Sequence, residues 1–288
     1  MNKRYVFFLK PVFFILVIIM DPGCGNRKGG NTNQSIPADT LALIQKIDSL
    51  KKLGYPMIDF HAHLKGGLTT EGLLEHSRKT GIRYGVAANC GIGFPITSDS
   101  SLMEYFRSLI PYPVFKGLQA EGREWIKLFS IDSVKKFDYS FTDAMTFTDH
   151  KGRRMRLWMK DEVWVDDKQQ FMDMLVDRIT TIMENEPVQI YVNPTFLPDT
   201  ISTEYDVLWT EERMNRVVQA AVKNKIAIEI NSRYRIPSAK FIKKARDAGV
   251  KFTFGINNTD ANLGFLEYGM DMIEECKLQP SDFWQIQR

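Results

Sequence analysis

The chain has 288 residues with a formal net charge of +3, too small an excess to indicate nucleic-acid binding. Its three cysteines, Cys24, Cys90 and Cys276, are too few for a disulfide-built scaffold. Without Cys24 a single pair remains, and the sequence does not give the separation of its two thiols.

The N-terminal segment is predicted to be a lipoprotein signal followed by a flexible tether. A basic stretch, an apolar run and a small residue before Cys24 make residues 1–24 typical of a bacterial lipoprotein signal. Cys24 is then expected to carry a lipid that anchors the chain in the bacterial cell envelope, facing the periplasm or exposed at the surface. Residues 25–39, rich in Gly, Asn and Ser, predict a flexible tether. Residues 40–288 have the size of one α/β barrel.

From residue 38 onward, helix-like and strand-like segments largely alternate. The predicted helices are 38–53, 69–80, 99–110, 167–184, 210–225, 238–248, 262–276 and 281–287. The predicted strands are 57–61, 83–88, 113–121, 139–143, 189–192, 227–230 and 251–255. Seven strands in this order favour an α/β fold with a parallel barrel or a near-barrel.

In such a barrel, binding and catalytic residues follow the carboxyl ends of the strands. The first strand ends in His61-x-His63, whose side chains share one face and suit a transition-metal ion. Histidines bonded within a polar strand end are the alternative interpretation. The other strand ends carry Asn89, Gln119 or Glu121, Asp143, Asn193, Glu229 and Asn231, and then Asn257 and Asn258. Asn side chains also cap turns, so a turn-capping role is the alternative to a functional role for each of these Asn residues taken alone.

Several short segments resemble, in order and spacing, those of the polymerase-and-histidinol-phosphatase (PHP) superfamily. Asp-Phe-His-Ala-His at 59–63 is similar to its first motif, and Ala-Ile-Glu-Ile-Asn at 227–231 to its sixth-strand segment. Segments 137–139, 192–195 and 250–255 are similar to its fourth, fifth and last strands. The resemblance runs from residue 57 to residue 276. It implies a distorted seven-stranded β/α barrel that binds up to three metal ions and hydrolyses phosphate esters or related bonds.

The chain departs from that family's pattern at most of its ligand positions. Amides or other residues stand where the resemblance implies imidazoles or acids, at Gly66-Gly67, Asn89, Met145, Asn193 and Asn257-x-Thr259. The third-strand glutamate of the family corresponds to Glu121 or Glu124, while the strictest register places Gln119 there. We prefer Glu121, the carboxylate on the same face as Gln119.

These observations predict a reduced site with one divalent ion (Zn, Mn or Fe) or with none. The expected ligands are His61, His63, Glu121 and Asp143, with Glu121 and Asp143 also acting in catalysis. The substrate is expected to be a small anionic or sugar-like molecule. The residues expected to bind it are Lys65, Asn89, Arg123, Asn193, Glu229, Asn231, Arg233, Asn257 and Asn258.

The residues between 145 and 166 form a long insertion that includes Arg153, Arg154, Arg156, Trp158 and Trp164. It is expected either to cover the barrel mouth or to form a solvated charged hairpin. Two further histidines are outside the expected site. His76 falls in the middle of a predicted helix and is expected to be a surface or a packing residue, and His150 lies in the insertion.

The function expected from the sequence is that of a metal-dependent hydrolase, with phosphoesters as the substrate class. The first alternative is a non-catalytic barrel that binds a sugar or a phosphate, which the repeated amides favour. The second is an amidohydrolase-like barrel, which also starts with His-x-His. That group needs further histidines where Asn193 and Asn231 stand, and so fits less well.

Overall fold

A computed structural model describes residues 37–286 of the chain. The predicted signal, the predicted lipidation site Cys24 and the tether up to residue 36 lie outside the described residues. The first helix, α1, spans Ala38–Lys52, so the predicted tether extends two residues too far at its C-terminal end. No helix within 37–286 is long and apolar enough to span a bilayer.

Seven parallel strands close into a barrel, which confirms the predicted α/β barrel and decides for closure. Two further strands, β5 and β6, form a separate pair outside the barrel. In chain order all the strands are β1 Ile58–Ala62, β2 Arg83–Cys90, β3 Phe115–Ala120, β4 Tyr139–Thr142, β5 Thr146–Thr148, β6 Arg154–Arg156, β7 Ile190–Tyr191, β8 Ala227–Asn231 and β9 Phe252–Gly255. The barrel order is β1-β2-β3-β4-β7-β8-β9, and β9 returns to β1 where Asp59 pairs with Phe254.

The helices lie between the strands as the alternation predicts. They are α2 Thr70–Thr80, α3 Asp99–Leu109, α4 Trp125–Leu128, α5 Ile131–Val134, α6 Lys168–Asn185, α7 Tyr205–Leu208, α8 Glu211–Asn224, α9 Ala239–Asp247 and α10 Glu267–Glu275. Local signals set their ends. At α2, the Thr69 side chain accepts from Gly72 N, and Gly81 ends the helix with a φ of 77°.

The lower half of the barrel is filled by Tyr139. A Cβ on Gly85 or Gly117 would lie 2.2 or 2.4 Å from the Tyr139 hydroxyl, so both strands need glycine where this ring crosses the interior. The hydroxyl donates to the carbonyl oxygen of Phe60 at 2.7 Å. The ring of Phe141 packs above it against His61, at 4.7 Å between centroids. Aromatic rings therefore fill the barrel below the first histidine, and the cavity lies toward the carboxyl ends of the strands.

Two predicted helices near the C-terminus differ from the structure. Helix α10 starts at Glu267, five residues later than expected, because Asp260 and Asn262 accept backbone hydrogen bonds two residues ahead and form turns. The prediction of a helix over 281–287 is wrong. A 3₁₀ turn at Pro280–Asp282 is followed by Trp284, which packs on Phe60 under the barrel at 5.4 Å between ring centroids.

The insertion forms an ordered antiparallel hairpin of β5 and β6, in which Phe147 pairs with Met155. His150 is exposed at its turn. Elsewhere, His76 bonds the hydroxyl of Tyr84 at 2.7 Å, in line with its predicted packing role. Cys90 and Cys276 are both buried, and neither forms a disulfide.

Candidate functional site

The carboxyl ends of the strands surround one cavity of about 720 Å³ at the barrel mouth. Its lining combines polar side chains with apolar and aromatic ones. The lining side chains include Lys65, Phe94, Asn89, Gln119, Glu121, Asp143, Arg156, Trp158, Asn193, Phe196, Asp199, Tyr205, Arg233, Tyr234, Asn257 and Thr259. This volume suits a small molecule of one or two rings.

The two histidines of the first strand are buried and hold fixed orientations. His61 donates from Nδ1 to Glu229 Oε1 at 2.6 Å, and His63 donates from Nδ1 to the Ala87 carbonyl oxygen at 2.8 Å. Because both partners accept, the hydrogens are assigned to Nδ1, and in the neutral rings the Nε2 atoms carry the lone pairs. Each Nε2 is buried without a hydrogen-bond partner among the described residues. Burial first, and the neighbouring His61 second, hold the pKa of His63 well below its ordinary value.

Glu229 is the centre of a buried network beneath the cavity. Its Oε1 accepts from His61, and its Oε2 accepts from Asn193 N at 2.7 Å and Asn231 Nδ2 at 3.0 Å. A Cβ on Gly255 would lie 1.8 Å from Glu229 Oε1 and 2.8 Å from His61 Cβ. The last strand therefore needs glycine at this position so that the carboxylate can reach the imidazole.

The amides at the later strand ends bond mainly to one another and to Asp143. Asn193 donates from Nδ2 to Asp143 Oδ2 at 2.8 Å. Its Oδ1 accepts from Asn231 Nδ2 and Asn257 Nδ2, both at 3.1 Å. Asn193 and Asn257 both have left-handed backbones, with φ of 46° and 54°. An asparagine tolerates this conformation better than most residues, so these positions serve the turn as well as the network.

Glu121 and Asp143 form an interacting pair of carboxyl groups that line the cavity. Glu121 accepts from Asn89 Nδ2 at 2.6 Å and from Thr146 Oγ1 at 3.2 Å. Asp143 accepts from Met145 N at 2.9 Å as well as from Asn193. Burial raises the pKa of both groups, and the charge of Asp143 raises that of Glu121 further. Such a pair retains a proton at higher pH than an exposed carboxylate does.

The predicted set of four metal ligands is not brought together as a cluster. Within residues 37–286, no group of three or more His, Cys, Asp or Glu side chains is placed to hold a metal ion. Among the described residues, the buried oxygen and imidazole nitrogen atoms that have no hydrogen-bond partner include His61 Nε2, His63 Nε2, Gln119 Oε1 and Asp59 Oδ2. The two buried Nε2 atoms fit a metal ion as ligands, and the described residues do not add two carboxylates to them. The presence of a metal ion stays a prediction.

Five of the nine predicted substrate-binding residues line the cavity: Lys65, Asn89, Asn193, Arg233 and Asn257. The other four are engaged elsewhere in the fold. Arg123 binds Glu186 at 2.6 Å together with the Asp143 carbonyl oxygen. Glu229 and Asn231 belong to the buried network. Asn258 brackets the backbone of His63, accepting from its N and donating to its carbonyl oxygen.

Only some of the Arg and Trp residues of the insertion that were expected at the barrel mouth line the cavity. Arg156 and Trp158 line the cavity, and Arg156 is bound to Glu162. Arg153 pairs with Asp149 and Arg154 with Glu124, so both interpretations of the insertion hold for different residues.

Sequence reasoning missed Tyr205 and Tyr234 in the lining. Tyr234 follows the strand-end residue Asn231 by three positions, and this closeness in sequence is a signal that could have identified it as a lining residue. Tyr205 comes from the segment between β7 and α8, whose length was the only indication.

No protein-family model and no curated protein matches this chain. A chain in the cryo-EM structure of archaeal ribonuclease P with mature tRNA is 10% identical over 76% of this chain and 90% of that one, with a TM-score of 0.39. The YdjI aldolase from Escherichia coli K12 is 11% identical over 81% of this chain and 91% of that one, with a TM-score of 0.33. Phospho-2-dehydro-3-deoxyheptonate aldolase from Thermotoga maritima is 13% identical over 78% and 68%, with a TM-score of 0.29. Likenesses this distant do not bear on substrate or reaction.

Proposed function

We propose that the chain is a metal-dependent hydrolase that acts on a small anionic molecule, with phosphoesters as the class of first choice, at the mouth of its barrel. The observation that carries the proposal is the pair of buried imidazoles whose Nε2 atoms have lone pairs and no donor. Orphaned acceptors inside a barrel are costly unless a ligand uses them.

The partners of the imidazoles support this assignment. A histidine that binds a metal through one nitrogen usually donates from the other to a carboxylate or a backbone carbonyl. His61 does so to Glu229 and His63 to Ala87 O. An ion would be held by His61 and His63, with Gln119 as the protein oxygen donor. When bound, it would polarise a substrate oxygen and lower the pKa of a water molecule.

The acid–base chemistry belongs to Glu121 and Asp143. Because burial raises the pKa of both groups, one proton can remain on the pair near neutral pH. The protonated member can donate to a leaving group, and the ionised member can accept a proton from water. The amides of Asn89 and Asn193 hold the two carboxyl groups in place.

The test is a comparison of wild type with Glu121→Gln in hydrolysis of a phosphomonoester panel, starting with p-nitrophenyl phosphate, in the presence of Zn²⁺, Mn²⁺ or Fe²⁺. Glu121→Gln keeps the size of the side chain and removes the carboxyl group that can gain or lose a proton. We expect metal-dependent turnover by the wild type and a loss of at least about a hundredfold in the variant. Turnover that is equal with and without metal would contradict the proposal.

A second candidate function is a binding barrel without catalysis. It is favoured by the lining, in which amides such as Asn89 and Asn257 alternate with the rings of Trp158, Phe196 and Tyr234, as suits a sugar. Thermal-shift measurements with neutral monosaccharides and disaccharides, and separately with the metals, distinguish the two. Stabilisation by sugars in the absence of metal, without turnover of any panel member, selects the binding function.

A further inference from the structure

Most cations near the mouth are already neutralised by a carboxylate. Arg123 pairs with Glu186, Arg153 with Asp149, and Arg154 with Glu124. Arg156, which lines the cavity, pairs with Glu162. The arginines that the sequence places near the strand ends and in the insertion are thus mostly unavailable to a ligand. Arg156 is therefore a paired cation within the lining of the same cavity, and it serves as the reference for a structural role.

Two lining cations differ from that pattern. Within the described residues, neither Lys65 nor Arg233 has an acidic group within ion-pair distance. Arg233 donates from NH1 to the Asn257 carbonyl oxygen at 3.1 Å and lies over the ring of Tyr234 at 4.9 Å. Both partners leave most of its guanidinium donors free. The side chains of both cations are exposed, and both line the cavity.

The fold brings these two cations to the same side of the mouth. A Cβ on Gly66 would lie 2.5 Å from Asp260 Cα and 2.8 Å from Thr259 O, so the loop that carries Lys65 is packed directly on the loop after β9. Arg233 is bonded to that same loop through Asn257 O. One segment therefore supports both cations. Gly66, which also has a φ of 57°, is required for this close approach.

The carboxyl groups that line the cavity do not neutralise these two cations by contact. Glu121 accepts from Asn89 and Thr146, and among the described residues it forms no ion pair with Lys65 or Arg233. Two like charges on one wall of a cavity are favourable only when an anion joins them.

We propose that Lys65 and Arg233 form an oxyanion subsite that holds a phosphate, sulfate or carboxylate group of the molecule bound in the cavity. Arg233 supplies a planar pair of donors and Lys65 a compact charge, a combination suited to an oxyanion with several oxygens. The assignment rests on the proposed function in that it concerns the substrate of the same cavity. It identifies which cations of the mouth recognise that substrate.

The test is isothermal titration calorimetry of the full chain, freed of metal with a chelator, with inorganic phosphate, sulfate and acetate as separate probes and glucose as the neutral one. We expect saturable binding of at least one oxyanion. Lys65→Gln and Arg233→Gln should each weaken it about tenfold or more, since hydrogen bonds to charged groups are the strong ones. Arg156→Gln, which alters a paired cation of the same lining, should leave it within about twofold.

Lys65→Arg keeps the positive charge and should retain most of the oxyanion affinity, which separates loss of charge from a fault in folding. The subsite is overturned if no oxyanion binds the wild type, or if Arg156→Gln weakens binding as much as Lys65→Gln does. The relative affinities of phosphate, sulfate and acetate distinguish the three sources of the oxyanion. Oxyanion binding by a protein that hydrolyses no phosphoester would support the subsite and count against the proposed hydrolase.

Discussion

Two layers of polar residues lie one above the other in this barrel, and they differ in how completely their groups are bonded. In the lower layer, both oxygens of Glu229 accept hydrogen bonds, and the Asn231 side chain joins the same network, which reaches the cavity lining at Asn193. In the upper layer, Lys65 and Gln119 line the cavity with free polar groups. A polar residue at a strand end therefore has either a structural or a ligand-binding role, and the completeness of its hydrogen bonding distinguishes the two. The lower layer stabilises the barrel, and the upper one is available to a ligand.

The largest effect on stability is expected in the lower layer. Glu229→Ala would leave His61 Nδ1 and Asn193 N buried without their acceptor, and would remove one of the two acceptors of Asn231 Nδ2. We expect a loss of about 3 kcal/mol or more in the free energy of unfolding. Chemical denaturation followed by circular dichroism measures it. A loss below about 1 kcal/mol would show that this network does not stabilise the barrel in the way described.

The next effect concerns Arg123, which the sequence predicts to bind substrate and the structure assigns to the fold. Arg123→Ala removes the partner of Glu186 and donors to Thr142 Oγ1 and Asp143 O. We expect a loss of about 2 kcal/mol in the free energy of unfolding. Phosphate affinity, measured by calorimetry on the folded variant, should stay close to that of the wild type. A stable variant that no longer binds phosphate would restore the substrate-binding role.

A smaller effect is expected in the pH dependence of stability. The pKa of Glu121 is raised from 4.5 to about 8 in the folded chain, chiefly by burial. Between these values the folded state holds a proton that the unfolded state has released, so stability falls as pH rises through this window. In Glu121→Gln the fall should be smaller, by about 1 kcal/mol or more.

The control for this pH series is Glu124→Gln. Glu124 lies at the rim beside Arg154, and its pKa is lowered. Its replacement should leave the decline of stability with rising pH in place. Denaturation curves at about one-unit steps of pH across the window provide the comparison. Equal slopes for wild type and Glu121→Gln would be evidence against a buried, proton-retaining carboxyl group.

The smallest effect is expected at the free cations of the upper layer. Arg233→Gln removes an exposed side chain that makes one hydrogen bond and one ring contact. We expect the free energy of unfolding to change by no more than about 0.5 kcal/mol. Thermal or chemical denaturation in phosphate-free buffer is the measurement. A large destabilisation would place Arg233 with the structural residues.

The strands and helices of the barrel were readable because their signals are local. Alternation of apolar runs, caps such as Thr69 and stops such as Gly81 lie within one segment, so seven strands were found near their observed positions. The misassigned C-terminal helix depends on a contact with a distant strand. Trp284, for example, is fixed by Phe60 and not by its neighbours in sequence.

The candidate site was predictable as a set of residue types and not as a set of bonds. His61 and His63 were identified from their spacing, but the acceptor of His61 is Glu229, 168 positions away in sequence. The sequence likewise does not show that Asn258 bonds the backbone of His63 while Asn257 lines the cavity. Which strand-end residues are free is decided by partners on other strands. The preference for Glu121 over Gln119 as a ligand failed to anticipate that Glu121 has its own donors.

The central claim is that the two imidazoles offer their Nε2 atoms to a metal ion, and anomalous diffraction tests it directly. Crystals of the chain soaked in zinc and measured on both sides of the zinc absorption edge locate the ion without reference to activity. We expect a peak about 2.0–2.1 Å from both His61 Nε2 and His63 Nε2, which disappears in His61→Ala. Fully soaked crystals without a peak between the two imidazoles would contradict it.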